Sequence, residues 1–377
     1  MRETTITKKI VILLELLLVC FLCGCNQVAG LDEQLIVYGI GVDKTEDAYE
    51  LTVQALNTQT PSEANSQDDG KTIINISATA PTLIEAVNKI ENQTGKKILY
   101  SHAIVLIVGQ ETAKSGIKEI IRFFSTNHKL RPTVEVLISS ITAKNVFSNE
   151  GDGDIVNAED IVSISQIGKE NDDGINSNIR YLLSDLENSQ KAAKVWLLEY
   201  NKDEGKVVCP KVALFKSDKL TDVLNEESTK GLLLIYKKAK NIVDSVNVND
   251  AQLSYELSKA KSKIDVSFDS KKPVFNISLC ADLELYNADN LAANSGIKLV
   301  IEKRLAELMQ KAIDWGIKKN GCDIFNFCRY IMNANPSFFK ENLANMEEIL
   351  KSADYEINAQ AKIRYMGANQ KISSLIY

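Results

Sequence analysis

Residues 355–365 read Tyr355-Glu356-Ile357-Asn358-Ala359-Gln360-Ala361-Lys362-Ile363-Arg364-Tyr365. Apolar and polar residues alternate throughout, so six apolar side chains fall on one face of an extended chain. Such a strand is half-buried, with a core on one side and water on the other. The complementary pattern stands ahead of it. Ile297, Val300, Ile301, Leu305, Leu308, Met309, Ala312 and Ile313 recur at helical spacing, while Lys298, Glu302, Lys303, Glu307 and Lys311 fall largely on the opposite side. Ser295 is placed to cap this run, which predicts an amphipathic helix over 296–319. A helix with one apolar stripe and a sheet with one apolar face bury each other. The region 237–377 is therefore predicted as a C-terminal α/β domain with a long helix packed on a sheet.

Upstream, Lys263–Phe268 and Val274–Leu285 read as a hairpin. Val195–Tyr200, Val207–Phe215 and Leu232–Tyr236 read as strands, with a short helix over Thr221–Asn225, so 195–236 forms a set of middle strands. Residues 149–194 read as a connector and helical segment. Asn149–Asp154 and Asn171–Gly174 are solvated loops flanking a short apolar piece, Ile161–Ile167, before a helix over Ile179–Leu186. The stretch 25–148 reads as an N-terminal α/β domain. A strand at Gln34–Val42 turns into a second at Tyr49–Leu56, a polar loop covers 57–70, and a third strand spans Thr72–Ala80. Thr82 with Glu85 marks a capping box for a helix that Gly95 ends. The nearly continuous apolar run Ile98–Val108 suits a central strand. A helix over Gly116–Phe124 and a strand over Thr133–Ile138 follow. The predicted class is α+β: a multi-domain, mixed α/β chain with antiparallel-rich sheets.

The amino terminus carries a different signal. Arg2, Lys8 and Lys9 form a basic tip, Ile10–Leu22 an apolar run, and Leu22-Cys23-Gly24-Cys25 resembles a lipobox. The run is shorter than the roughly 20 apolar residues of a spanning helix. Glu15 inside it costs about 2.5–3.5 kcal/mol, against about 3–7 kcal/mol returned by its Leu, Ile, Val and Phe residues, so the segment still inserts. Residues 1–24 are thus predicted as a lipoprotein signal peptide, with Cys25 as the lipidated first residue of the mature chain. Two or more acyl chains anchor stably where one does not. Removal of the leader leaves 353 residues with net charge −7. A mildly acidic chain without a basic cluster in sequence argues against nucleic acid as a partner and leaves membrane attachment to the lipid. Cys209, Cys280, Cys322 and Cys328 allow three disulfide pairings, and sequence does not choose among them or exclude isolated thiols.

Catalytic chemistry has little to draw on. There are two histidines, His102 and His128, without HExxH or His-x-His spacing, so no metal site is predicted. No GxSxG elbow exists. Gly39-Ile40-Gly41 lacks the full phosphate-loop pattern and lies inside a strand, where glycines mark a bulge or close packing. Asp152-Gly153-Asp154 and Asn171-Asp172-Asp173 lack calcium-loop spacing. Trp315 and Phe338-Phe339 read as core. The expectation is a non-enzymatic protein with no cofactor.

The order of short segments then becomes informative. Tyr38-Gly39-Ile40-Gly41-Val42-Asp43-Lys44, Tyr100-Ser101-His102-Ala103 and Leu130-Arg131-Pro132-Thr133-Val134 are followed by Ala213-Leu214-Phe215-Lys216-Ser217-Asp218-Lys219-Leu220, Cys322-Asp323-Ile324-Phe325 and Ile363-Arg364-Tyr365-Met366-Gly367. In this order the chain resembles the C subunit of spore germinant receptors, the Ger(x)C lipoprotein family. It departs at Asn26-Gln27, where the family tends to carry Trp-Asp. It departs again at Asn326, where a glycine often follows the Asp-Ile-Phe segment, and at Phe338-Phe339, where a Trp is common. The resemblance implies a three-domain mixed α/β architecture. It also implies a non-enzymatic lipoprotein on the outer face of the spore inner membrane, working with a multi-spanning A subunit and a transporter-like B subunit in nutrient-triggered germination. Only Cys25 carries a defined role across. A stand-alone extracytoplasmic solute-binding lipoprotein is the alternative, and it predicts two similar lobes around a ligand cleft.

Overall fold

The computed structural model describes residues 33–56, 73–127, 130–148, 156–170, 175–188, 190–201, 206–236, 239–248, 251–286, 296–366 and 370–371. The leader with Cys25, the loop 57–70, His128 and the two acidic loops near 150 and 172 lie outside them.

The first half runs β1 (Gln34–Lys44), β2 (Tyr49–Leu56), β3 (Ile73–Ala80), α1 (Leu83–Thr94), β4 (Lys97–Leu99), β5 (Val105–Gly109), α2 (Gln110–Ser115), α3 (Lys118–Asn127) and β6 (Glu135–Ser139). It continues through α4 (Ala143–Ser148), α5 (Ala158–Glu170), α6 (Ile179–Glu187), β7 (Lys194–Asn201), β8 (Lys206–Lys216) and β9 (Lys219–Leu224). These strands form one nine-stranded sheet in the order β3-β2-β1-β5-β6-β7-β8-β9, with β4 beside β1. Hairpins give antiparallel pairs at both ends, while β1, β5, β6 and β7 run parallel because helical crossovers join them. The strands of the segment 195–236 therefore hydrogen-bond onto the sheet that begins within 25–148.

The second half runs α7 (Glu226–Ile235), β10 (Ile242–Val248), β11 (Ala251–Asp269), β12 (Lys272–Tyr286), α8 (Gly296–Ile313), α9 (Phe327–Ala334), α10 (Pro336–Glu341), α11 (Met346–Ser352), β13 (Asp354–Met366) and β14 (Gln370–Lys371). Its five-stranded sheet has the order β10-β11-β12-β13-β14. The β11–β12 hairpin turns at Ser270 and Lys271, both at positive φ, as a two-residue turn matched to strand twist requires. β13 pairs parallel with β12 because α8 and the short helices after it form the crossover. Along β13 the odd residues Tyr355–Ile363 turn inward and the even ones are exposed, which is the alternation read from sequence. The helix predicted over 296–319 is α8 followed by a π-helical turn, Asp314–Lys319. The architecture is mixed α/β with a long helix on a sheet, as the patterning predicts.

The local reading fails in four places. Leu232–Tyr236, read as a strand, is the end of α7. Asn225 caps that helix by accepting the Ser228 N–H, and Glu226 and Glu227 stabilise its first turn. Its last residues are buried all round, so the run lacks the face contrast that separates helix from strand. Thr221–Asn225, read as a short helix, is mostly β9, recruited by pairing with β8. Ile161–Ile167 belongs to a full helix, α5. The run Ile98–Val108 breaks at a 3₁₀ turn, Tyr100–His102, into β4 and β5, which pair with β1 in succession.

Two cores result. One lies between the first sheet and α1, α3 and α6, around Ile90, Phe124 and Leu182. The other starts on the opposite face at Phe147 and Trp196 and runs through α7 and α8 to Tyr255 and Phe275 on the second sheet. A single apolar core thus joins the two sheets.

Candidate functional site

The segments that carry the family order do not converge on one cleft. They form the joints of the fold. In β1, register shifts between Val37 and Gly39, a bulge, and a Cβ on Gly39 would stand 2.7 Å from the Phe147 ring. A Cβ on Gly41 would meet Ala143 at 3.1 Å. The glycines are there because α4 lies directly against the strand. Asp43 then accepts the backbone N–H groups of Ala143 at 2.9 Å and Lys144 at 3.1 Å. Burial pushes its carboxyl upward despite those two donors. Lys44 N–H donates to Thr112 at 2.7 Å, and Lys144 pairs with Glu50 at 2.6 Å. Gly39-Ile40-Gly41 is thus a packing joint that holds β1, α2 and α4.

Asp323 makes the second joint. Its carboxylate accepts the N–H groups of Phe327 and Cys328, each at 2.8 Å, and its carbonyl accepts the Ala192 N–H at 3.2 Å, tying α9 to the segment entering β7. Complete burial pushes this carboxyl up, against the two backbone donors and the Lys194 charge. Lys194 is itself buried, with its ammonium 5.4 Å from the Tyr236 ring, and the Tyr236 hydroxyl donates to the Ile324 carbonyl at 2.8 Å. Asn326 sits at φ 64°. That left-handed position favours glycine, and asparagine is among the few other residues that tolerate it. Burial raises the neighbouring thiols, Cys322 to about 11 and Cys328 further, so neither is primed as a nucleophile.

Two further carboxylates clamp helices to strands. Asp222 on β9 accepts from Trp315 Nε1 at 2.8 Å, Lys319 Nζ at 2.8 Å and Asn320 Nδ2 at 3.0 Å. Burial raises its carboxyl, but these donors outweigh it and hold the group low. Arg304 on α8 bridges Asp244 of β10 at 2.9 Å and Glu227 of α7 at 2.7 Å, and the Tyr255 hydroxyl donates to Asp244 at 3.1 Å.

Cys25 and His128 lie outside the described residues. His102 closes the 3₁₀ turn, 6.4 Å from the Tyr38 ring. Trp315, Phe338 and Phe339 are half-buried against the core. Cys322 and Cys328 are buried, Cys209 is half-buried and Cys280 is exposed on β12. Among the described residues no group of three or more His, Cys, Asp and Glu is placed to hold a metal. Sequence reasoning singled out none of Asp43, Asp222, Asp244, Asp323 or Arg304 as a site. Asp43 and Asp323 did stand within the quoted segments, next to apolar runs, which is the signal that could have found them.

Two family models match the chain. One, described as a spore germination protein N-terminal domain, covers residues 28–197, and the other, described as spore germination B3/GerAC-like, C-terminal, covers 211–367. Spore germination protein B3 of Bacillus subtilis (strain 168) is 22% identical over 361 residues, 92% of this chain and 95% of that protein. The crystal structure of the GerBC protein superposes with a TM-score of 0.59 at 18% identity, covering 86% of this chain and 96% of that one. With both halves matched in order and the fold shared, the chain belongs to the Ger(x)C family of spore germination proteins.

Proposed function

We propose that this chain is the lipid-anchored, non-enzymatic subunit of a nutrient germinant receptor, required for spore germination. It acts on the outer face of the spore inner membrane beside a multi-spanning A subunit and a transporter-like B subunit. The observation that carries the reading is the pair of family models, which together cover residues 28–197 and 211–367. The joints described above support it, since Asp43, Asp222, Asp244 and Asp323 are each engaged by N–H or cationic donors that hold elements together. Cys25 is proposed as the lipidation site, and no helix among the described residues is long and apolar enough to cross a membrane.

The solute-binding alternative expects two similar lobes. The two sheets differ in strand number and order, which does not favour it. Deletion of the gene is expected to abolish germination by one set of nutrients while leaving spores viable under other triggers. Normal germination with every nutrient would overturn the proposal. Affinity isolation of the lipidated chain from spore membranes is expected to bring two polytopic proteins with it.

A further inference from the structure

Among the described residues, the second sheet is covered on one face only. The core residues Tyr255, Leu257, Phe275, Leu279 and Leu283 all point to the side that α7 and α8 occupy. The side chains of the other face are exposed or half-buried among the described residues, and its charges are sorted. Pairing sets Lys259 beside Asp282 and Lys362, Lys261 beside Cys280 and Gln360, and Lys263 beside Ser278 and Asn358. Arg364 stands in the same strip. Five cations, Lys259, Lys261, Lys263, Lys362 and Arg364, therefore share a band with one carboxylate inside it, Asp282. Arg364 takes that carboxylate at 2.5 Å, and Lys263 pairs at the lower border with Asp265 at 2.7 Å. Among the described residues, Lys259, Lys261 and Lys362 form no ion pair.

Strand spacings make the band about 10 Å wide and about 13 Å along the strands. Like charges on neighbouring positions of one sheet face repel, and the chain as a whole carries a net charge of −6. The band thus keeps a local field opposite to that of the molecule, at a cost in stability that an anionic partner would relieve. Its borders say what kind of partner. Glu256 and Glu284 lie across the strands on one side, and Asp265, Glu356 and Asp354 on the other. A flat anionic bilayer would press on these acids within about one Debye length, ~8–10 Å. A narrow acidic segment laid across the three strands meets the cations and a single carboxylate, Asp282, which Arg364 already engages.

The geometry points to this band on β11, β12 and β13 as a docking surface for an acidic segment of a partner protein. The proposal rests on the reading of the chain as a subunit of an assembly. Zero-length carbodiimide cross-linking of spore membranes is the direct test, because it joins a lysine amine only to a carboxylate in contact with it. Lys259, Lys261 or Lys362 is expected to be found joined to an Asp or Glu of another polypeptide. The triple variant Lys259→Glu, Lys261→Glu, Lys362→Glu is expected to lose that adduct and to slow nutrient germination about tenfold, with an unchanged circular dichroism spectrum. Lys219→Glu with Lys303→Glu, a charge change elsewhere, is expected to behave as wild type. Absence of any intermolecular adduct at the three lysines would overturn the proposal. So would lysine-dependent binding of the purified chain to phosphatidylglycerol vesicles with no protein adduct. A deletion strain that germinates normally would instead defeat the receptor reading, whereas a defective deletion with a fully active triple variant defeats the docking surface alone.

Discussion

Asp323 and Asp244 are both buried carboxylates, and they titrate in opposite directions. Asp323 meets two backbone N–H groups, but complete burial wins and its carboxyl is raised. The folded state therefore holds its proton more tightly than the unfolded chain does. Its contribution is full below about pH 3.9 and is lost as pH rises through the raised folded value. Burial raises Asp244 too, but Arg304 and Lys230 outweigh it and the group is lowered. Its contribution is present above about pH 3.9 and is lost as pH falls through the lowered value. Asp244→Asn is therefore expected to flatten the acid limb of stability as pH falls below about 5, measured as urea midpoints. An acid limb as steep as that of wild type would count against the Arg304 clamp. Asp323→Ala removes the acceptor of the Phe327 and Cys328 N–H groups and leaves both donors buried. A loss of about 1–3 kcal/mol is expected, with Asp323→Asn milder because one acceptor oxygen remains.

The contact between α7 and α8 decides how the second half packs. Gly231 lies in the middle of α7, where replacing glycine with alanine ordinarily stabilises a helix by about 1 kcal/mol. Here an added Cβ would stand 1.9 Å from the Leu308 carbonyl oxygen. That atom is backbone and cannot swing aside, so the helices must separate. Gly231→Ala is expected to destabilise by about 1–3 kcal/mol, reversing the intrinsic preference, and the sign of the shift in thermal midpoint checks it. The same contact explains why Leu232–Tyr236 misled the sequence reading. A helix wedged between α8 and the sheets is apolar on every side and shows no period. The run Ile98–Val108 misled for a related reason, since a 3₁₀ turn inside a buried segment leaves no polar residue to announce it.

The molecule as a whole joins two unlike sheets through one apolar core, and its proposed attachment point lies at the start of the mature chain. Cys25→Ala is expected to block acylation. The chain should then leave the membrane fraction, and mass spectrometry should show an uncleaved leader. Retention of the variant in membranes at wild-type level would mean that protein contacts alone hold it there. The cation band follows the same logic of assembly. Lys259, Lys261 and Lys263 sit a hundred residues from Lys362 and Arg364, so the sequence reading found no basic cluster. The parallel pairing of β13 with β12 brings them together.

Alternation over 355–365, helical spacing over 296–313 and the Thr82 and Gly95 caps were legible in the chain because each depends on residues a few positions apart. The segments that carry the family resemblance were legible for the same reason, each being a short contiguous run. The carboxylate joints at Asp43, Asp222, Asp244 and Asp323, the close approach of Gly231 to Leu308 and the cation band were not. Each is a meeting of residues from strands and helices distant in sequence, and its energy comes from burial and neighbouring charge, which exist only after the two sheets have packed.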